Sequence, residues 1–142
     1  MQSVLKVFKR IQIKEGKKML AMLKAKIHGA TVTRTLLEYD GSLRVDGKML
    51  KAAGMLPGEM VHVWNASNGN RFKTYLVQGE KGEVTVMGAA ARLCRKGDKI
   101  IIAAEIFLEE KQAGKHEPKI VLLDGKNRIK KIKAGKKRNE KA

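Results

Sequence analysis

Apolar and polar residues alternate along much of this chain, and a period of two is the mark of a strand with one face on a core. From Met22, residues Leu23, Ala25 and Ile27 fall on one side and Lys24, Lys26 and His28 on the other. Thr31 to Thr33 extend the β-favouring run, and Leu36 to Tyr39 follow before Asp40-Gly41, a pair with strong turn chemistry. Strands are predicted again over Met60 to Asn65, Arg71 to Val77, Val84 to Met87, Lys99 to Phe107 and Ile120 to Leu123. Further turn pairs at Asp46-Gly47, Asn68-Gly69 and Asp124-Gly125 keep these strands short. A short helix is predicted over Lys48 to Ala53, with Asp46 as its cap and Gly54 as its terminator, and one helical turn over Gly88 to Leu93. The sum, seven or so strands with two small helices, is a mainly β, barrel-like α+β domain.

Composition narrows the picture. A chain of 142 residues, 43% of them apolar, suits one domain with a packed core. The single cysteine, Cys94, has no disulfide partner, and His28, His62 and His116 match no metal-ligand spacing, so the chain reads as a cytoplasmic protein without a structural metal. No apolar run approaches the roughly 20 residues that span a bilayer.

The formal charge of +17 points to a polyanion as partner until its distribution is considered. Thirteen of those charges sit in residues 1–18 and 125–142, and the body, 19–124, is only mildly basic. Three Phe, two Tyr and one Trp offer few platforms for stacked bases, so RNA contact is left mainly to the basic ends. The first segment reads as a solvated extension, with Met19 or Met22 as alternative starts, or as an amphipathic surface peptide. The Lys-rich end from Lys126 onward reads as disordered.

Candidate chemistry centres on Gly41-Ser42. Taken alone the pair is a hairpin corner. A serine hydroxyl can also attack the carbonyl of the residue before it, exchanging the amide for an ester, if the backbone is held so that oxygen meets carbon. A glycine at the preceding position offers no Cβ to obstruct that approach. A serine hydrolase built from Ser42 and His28 is disfavoured, because no Gly-x-Ser-x-Gly elbow and no third carboxylate accompany them. Arg71 and Tyr75, four residues apart on a strand, share a face, whereas Thr74 points away from both.

Several motifs carry a resemblance. Met22-Leu-Lys-Ala-Lys-Ile-His28, Ala30-Thr-Val-Thr33, Tyr39-Asp-Gly-Ser42, Ala52-Ala-Gly-Met-Leu-Pro-Gly-Glu59, Trp64-Asn65, Asn68-Gly-Asn-Arg-Phe-Lys-Thr-Tyr75 and Gly88-Ala-Ala-Ala-Arg92 resemble the pyruvoyl-dependent aspartate 1-decarboxylases in order and spacing. The resemblance spans residues 19–124. It implies a six-stranded double-psi β-barrel, a homotetramer with active sites between subunits, and self-cleavage between Gly41 and Ser42 that turns Ser42 into a pyruvoyl group, with or without a maturation factor. That group, with no metal and no pyridoxal phosphate, would take L-aspartate as a Schiff base and serve as the electron sink for its decarboxylation to β-alanine, a step of pantothenate biosynthesis. The resemblance makes Tyr75 the proton donor and places Lys26 and His28 near the site, Lys26 as a second carboxylate partner. Arg71 is our choice for the substrate carboxylate, which its planar fork can hold bidentately. Thr74 would contact substrate and assist cleavage, and Gly88, Ala89 and Ala90 would form the substrate-binding turn. One departure stands out: Met87 occupies a position where the family usually has asparagine. An uncleaved, inactive relative and a basic RNA-binding barrel are the alternative readings.

Overall fold

A computed structural model describes residues 16–134. The basic ends 1–15 and 135–142, with the expectations attached to them, lie outside the described residues. The described chain forms nine strands: β1 (Met19–Thr31), β2 (Arg34–Leu36), β3 (Ser42–Asp46), β4 (Met60–Asn65), β5 (Arg71–Gly79), β6 (Val84–Met87), β7 (Lys99–Glu109), β8 (Lys119–Leu123) and β9 (Ile129–Ala134). Two short helices, α1 (Gly47–Ala53) and α2 (Glu110–Ala113), and a 3-10 turn over Gly88–Leu93 complete it. The mainly β expectation therefore holds, with more strands than the alternation alone announced.

The strands run β2-β6-β3-β5-β4-β7-β1-β8-β9 across one sheet. Antiparallel pairs predominate, but β1–β8, β2–β6 and β3–β5 are parallel, so the chain crosses over its own sheet rather than meandering. One face is closed over a core in which Ile27, Leu43, Val45, Val61, Val63, Leu76, Val84, Val86, Ile100 and Ile102 are all fully buried. Cys94 packs at its margin, where burial pushes its thiol above the usual range against a bond from Asn65.

Asp46 ends β3 and starts α1: its carboxylate accepts from the Lys48 N–H at 2.8 Å and from the Gly82 N–H at 2.8 Å. Gly54, at φ 69, closes the helix, and Met49, Leu50 and Ala53 pack inward.

Two expectations are corrected. Gly41-Ser42, which taken alone reads as a hairpin corner, is not one: β2 and β3 do not pair with each other but each pair with β6, one parallel and one antiparallel. The 37–41 segment is thus a loop passing the end of β6. Nor is the Lys-rich stretch disordered from Lys126, because β9 pairs with β8 through residue 134. Turn chemistry accounts for this. The Asp124 carboxylate accepts from the backbone N–H of Lys126 and of Arg128 and from Arg128 Nε, contacts that also hold its pKa below the usual range. Asn127, at φ 58 and buried, accepts from the Thr31 N–H at 2.7 Å and donates to the carbonyls of Thr31 and Gly82 at 2.9 and 3.0 Å. One side chain ties three segments. An Asn127→Ala chain strands three backbone groups, so its urea unfolding midpoint should fall by the equivalent of about 3 kcal/mol.

Candidate functional site

Strand β5 sorts its side chains by parity. Thr74 and Leu76 are buried, whereas Arg71, Lys73 and Tyr75 are exposed on the outer face. The predicted pairing of Arg71 with Tyr75 on one face, and of Thr74 on the other, is what the strand shows. Strand β4 runs antiparallel beside it and sets Met60 opposite Tyr75, His62 opposite Lys73 and Trp64 opposite Arg71. The Arg71 guanidinium lies 5.3 Å from the centre of the Trp64 ring, a cation–π contact that aims the fork while leaving its N–H groups free for an anion.

Ser42 opens β3 and is 3% exposed, although Gly41 and the loop before it are exposed. In the parallel β3–β5 ladder Leu43 pairs with Leu76, both facing the core. The residues preceding them, Ser42 and Tyr75, therefore lie next to each other at the ladder's end, Ser42 buried and Tyr75 exposed. On its other flank Ser42 pairs with Met87, the last residue of β6. Met87, which stands where the resemblance leads one to expect asparagine, is 2% exposed and packed with β6.

After Met87 the chain turns sharply at Gly88, which is buried at φ 76, into the 3-10 turn that carries Ala89 and Ala90. Ala89 is exposed and Ala90 half-buried, so the turn's first residues border the loop that ends at Gly41. The far end of the turn is pinned by the β4–β5 connection. Asn65, Asn68 and Asn70 all donate through Nδ2 to the Leu93 carbonyl, at 3.2, 3.0 and 3.2 Å. Asn65 also donates to Asp98 at 2.8 Å.

Lys26 and His28 share the outer face but not the neighbourhood. Lys26 pairs with Ala103, which pairs with His62, which pairs with Lys73. His28 reaches Arg71 by the matching steps through Ile101 and Trp64. Three strand spacings, about 14 Å along the sheet, separate these two residues from β5. Within one chain, then, Ser42, Tyr75 and the Gly88–Ala90 turn lie together, whereas Arg71, four residues or about 13 Å along β5 from Tyr75, stands with Trp64, and Lys26 and His28 lie on β1.

Concavity tells the same story. The larger clefts, of about 570 and 500 Å3, flank Asp46 and Lys48 at the opposite end of β3 from Ser42. Arg71 borders a shallower one of about 270 Å3 together with Trp64, Asn70 and Ile101. None of these three is lined by Ser42 or Tyr75.

Two parts of this arrangement escaped the sequence reading. Trp64 was visible only as part of a motif, yet a hairpin turning at Asn68-Gly69 puts it opposite Arg71, so counting back from the turn finds it. The three asparagines read as turn formers, and nothing local signals that they converge on a carbonyl some 25 residues onward.

A family model described as aspartate decarboxylase matches residues 18–130. The chain belongs to the aspartate decarboxylase family. It is 49% identical over 116 residues to the aspartate 1-decarboxylase of Carboxydothermus hydrogenoformans, an alignment covering 80% of this chain and 91% of the relative. The corresponding protein of Neisseria meningitidis is 50% identical over 113 residues, covering 78% and 89%. That of Dehalococcoides mccartyi is 44% identical over 116 residues, covering 80% and 94%. The family match runs beyond residue 124 into the start of β9, consistent with the ordered turn that Asp124 and Asn127 build there. Among the described residues no helix is long and apolar enough to cross a membrane.

Proposed function

We propose that this chain is the precursor of a lyase that converts L-aspartate to β-alanine and carbon dioxide, using a pyruvoyl group it makes from Ser42, as a step towards pantothenate. The observation that carries the proposal is the setting of the Gly41-Ser42 bond. It joins an exposed loop to a buried serine that pairs with Met87 of β6 and directly precedes the β3–β5 ladder, next to Tyr75.

Cleavage follows from that setting. The Ser42 hydroxyl oxygen bonds to the Gly41 carbonyl carbon as the C–N bond breaks, and the hydroxyl proton ends on the freed amine. Loss of the Ser42 α-proton then expels the Gly41 carboxylate and leaves dehydroalanine. Water replaces the nitrogen, which departs as ammonia. The residues present fit the product. A new terminus at position 42 stays anchored through the Leu43–Leu76 and Leu43–Val86 pairs, while the 37–41 segment has no strand partner of its own.

The pyruvoyl ketone, once formed, supplies an electron sink for decarboxylation. Arg71, aimed by Trp64, takes a substrate carboxylate bidentately, and the backbone N–H groups of the Gly88–Ala90 turn offer a second anion contact. Tyr75 delivers the proton to the carbon that has lost its carboxylate. Thr74, on the inner side of β5, would assist cleavage from beneath the strand. Lys26 and His28 would come from a second copy of the chain. Supporting this are their distance from β5 and the exposed apolar side chains of Met60, Tyr75 and Phe107, which favour a homotetramer with shared sites; Arg71, about 13 Å along β5 from Tyr75, would likewise serve a site shared with a second copy. The mixture of parallel and antiparallel pairs supports a double-psi barrel as the core of the sheet, within one catalytic domain flanked by basic ends.

The test is the intact mass of the purified protein under denaturing conditions, before and after treatment with a hydrazine. Two fragments dividing at Gly41-Ser42, the larger taking up one hydrazine, are expected. One full-length chain after long incubation, alone and with lysate to supply a maturation factor, would overturn the proposal.

A further inference from the structure

We infer that Gly88 is a positioning residue for self-cleavage, the seat on which the scissile peptide is pressed. This rests on the cleavage proposed above and assigns Gly88 a part beyond substrate binding. A Cβ at Gly88 would lie 2.5 Å from the Cα of Gly41, 2.7 Å from its nitrogen and 2.8 Å from the carbonyl oxygen of Tyr39. All three atoms are backbone, so no rotamer change relieves the contact. Gly41, by contrast, has room: a Cβ there would meet only the Met87 carbonyl oxygen, at 3.9 Å. The steric demand at the cleavage site therefore lies across the gap, at the start of the 3-10 turn that follows β6, and not in the loop.

Two consecutive residues, the last of β6 and the first of the 3-10 turn, thus hold the two residues that flank the scissile bond. Met87 fixes Ser42 through the β3–β6 ladder, and Gly88 supports Gly41 by direct backbone contact. Attack forms the bond from Ser42 Oγ to the Gly41 carbonyl carbon as the C–N bond breaks, and the proton passes to the nitrogen. Its rate depends on where Gly41 sits relative to Ser42. An alanine at position 88 must displace Gly41 by about 1 Å to restore ordinary van der Waals separation. Misplacement on that scale costs about a hundredfold in rate.

The experiment compares Gly88→Ala with Gly82→Ala. Gly82 has nearly the same backbone angle, φ 74, but nothing within 4 Å of a Cβ, so it carries the same conformational strain without touching the loop. Cleavage is followed by intact mass well below each variant's melting temperature. We expect Gly82→Ala to cleave at the wild-type rate and Gly88→Ala about a hundredfold more slowly, each compared while fully folded. A third variant, with one glycine inserted between Tyr39 and Asp40, leaves Gly88 and both strands intact but frees the loop from its seat. It should also cleave slowly, which keeps the question open to measurement if Gly88→Ala fails to fold. Cleavage of Gly88→Ala at the Gly82→Ala rate, or of the insertion variant at the wild-type rate, would overturn the inference. A wild-type chain that never cleaves would instead count against the proposed function.

Discussion

Replacing Ser42 with alanine should give one uncut chain of 142 residues that takes up no hydrazine and releases no carbon dioxide from aspartate. The expected loss is complete rather than graded. Every later step depends on the ketone, and among the side chains proposed to act on substrate only Ser42 can generate it, since Tyr75 and Arg71 cannot eliminate to a dehydroalanine. The fold should survive. Ser42 is 3% exposed, an alanine fits within the serine's volume, and the β3 ladders are backbone bonds that the substitution leaves untouched. Removing one hydroxyl costs about 1 kcal/mol, small against the burial of Leu43 and Val45 in the same strand. Thermal denaturation and intact mass of the variant therefore separate loss of chemistry from loss of structure. Division of this variant at the same bond would mean that an external protease cuts the exposed loop, and the intramolecular mechanism would be abandoned.

The same residues show why the site was only partly legible beforehand. Strands β4 and β6 were predicted to the residue, because alternation and flanking turn pairs agree there. Strand β3, which carries Ser42, escaped. Its five residues begin directly after Asp40-Gly41 and end on the Asp46 of Asp46-Gly47, and Gly41-Ser42 taken alone suggested a corner where the chain instead crosses the end of β6. Sequence pattern reports which way side chains face, and parity placed Arg71 with Tyr75 and against Thr74. It does not report which strands become neighbours. The parallel pairing of β3 with β5, which sets Ser42 beside Tyr75, joins residues more than 30 apart in sequence, and only the closed core selects it. Strand β9 escaped for a different reason. All of its side chains are exposed, so no burial pattern marks it, and its order comes from the Asp124 turn and the buried amide of Asn127. Lysine content there describes the surface of a strand, not the absence of one.

Tyr75→Phe should separate the two reactions that share this site. The variant should still divide at Gly41-Ser42 and bind one hydrazine, because the attack needs Ser42 and the Gly41 carbonyl in register. The β6 contacts that hold them do not involve the phenol. Turnover of aspartate should fall by about a hundred to ten thousandfold, the range over which a positioned proton donor acts. KM should change little, since Arg71, Trp64 and the Gly88–Ala90 turn remain to hold the carboxylates. Tyr75 is 38% exposed and paired with the exposed Met60, so removal of its hydroxyl leaves no buried group unsatisfied, and the melting temperature should stay close to that of the parent. A fall in kcat alone, in a fully cleaved enzyme, is the signature of a group used only as charge moves at the reacting carbon. If kcat were unchanged, water on this open face would be the proton source. If cleavage itself failed, the phenol would belong to maturation, and its place one ladder position from Ser42 would reflect the first reaction rather than the second.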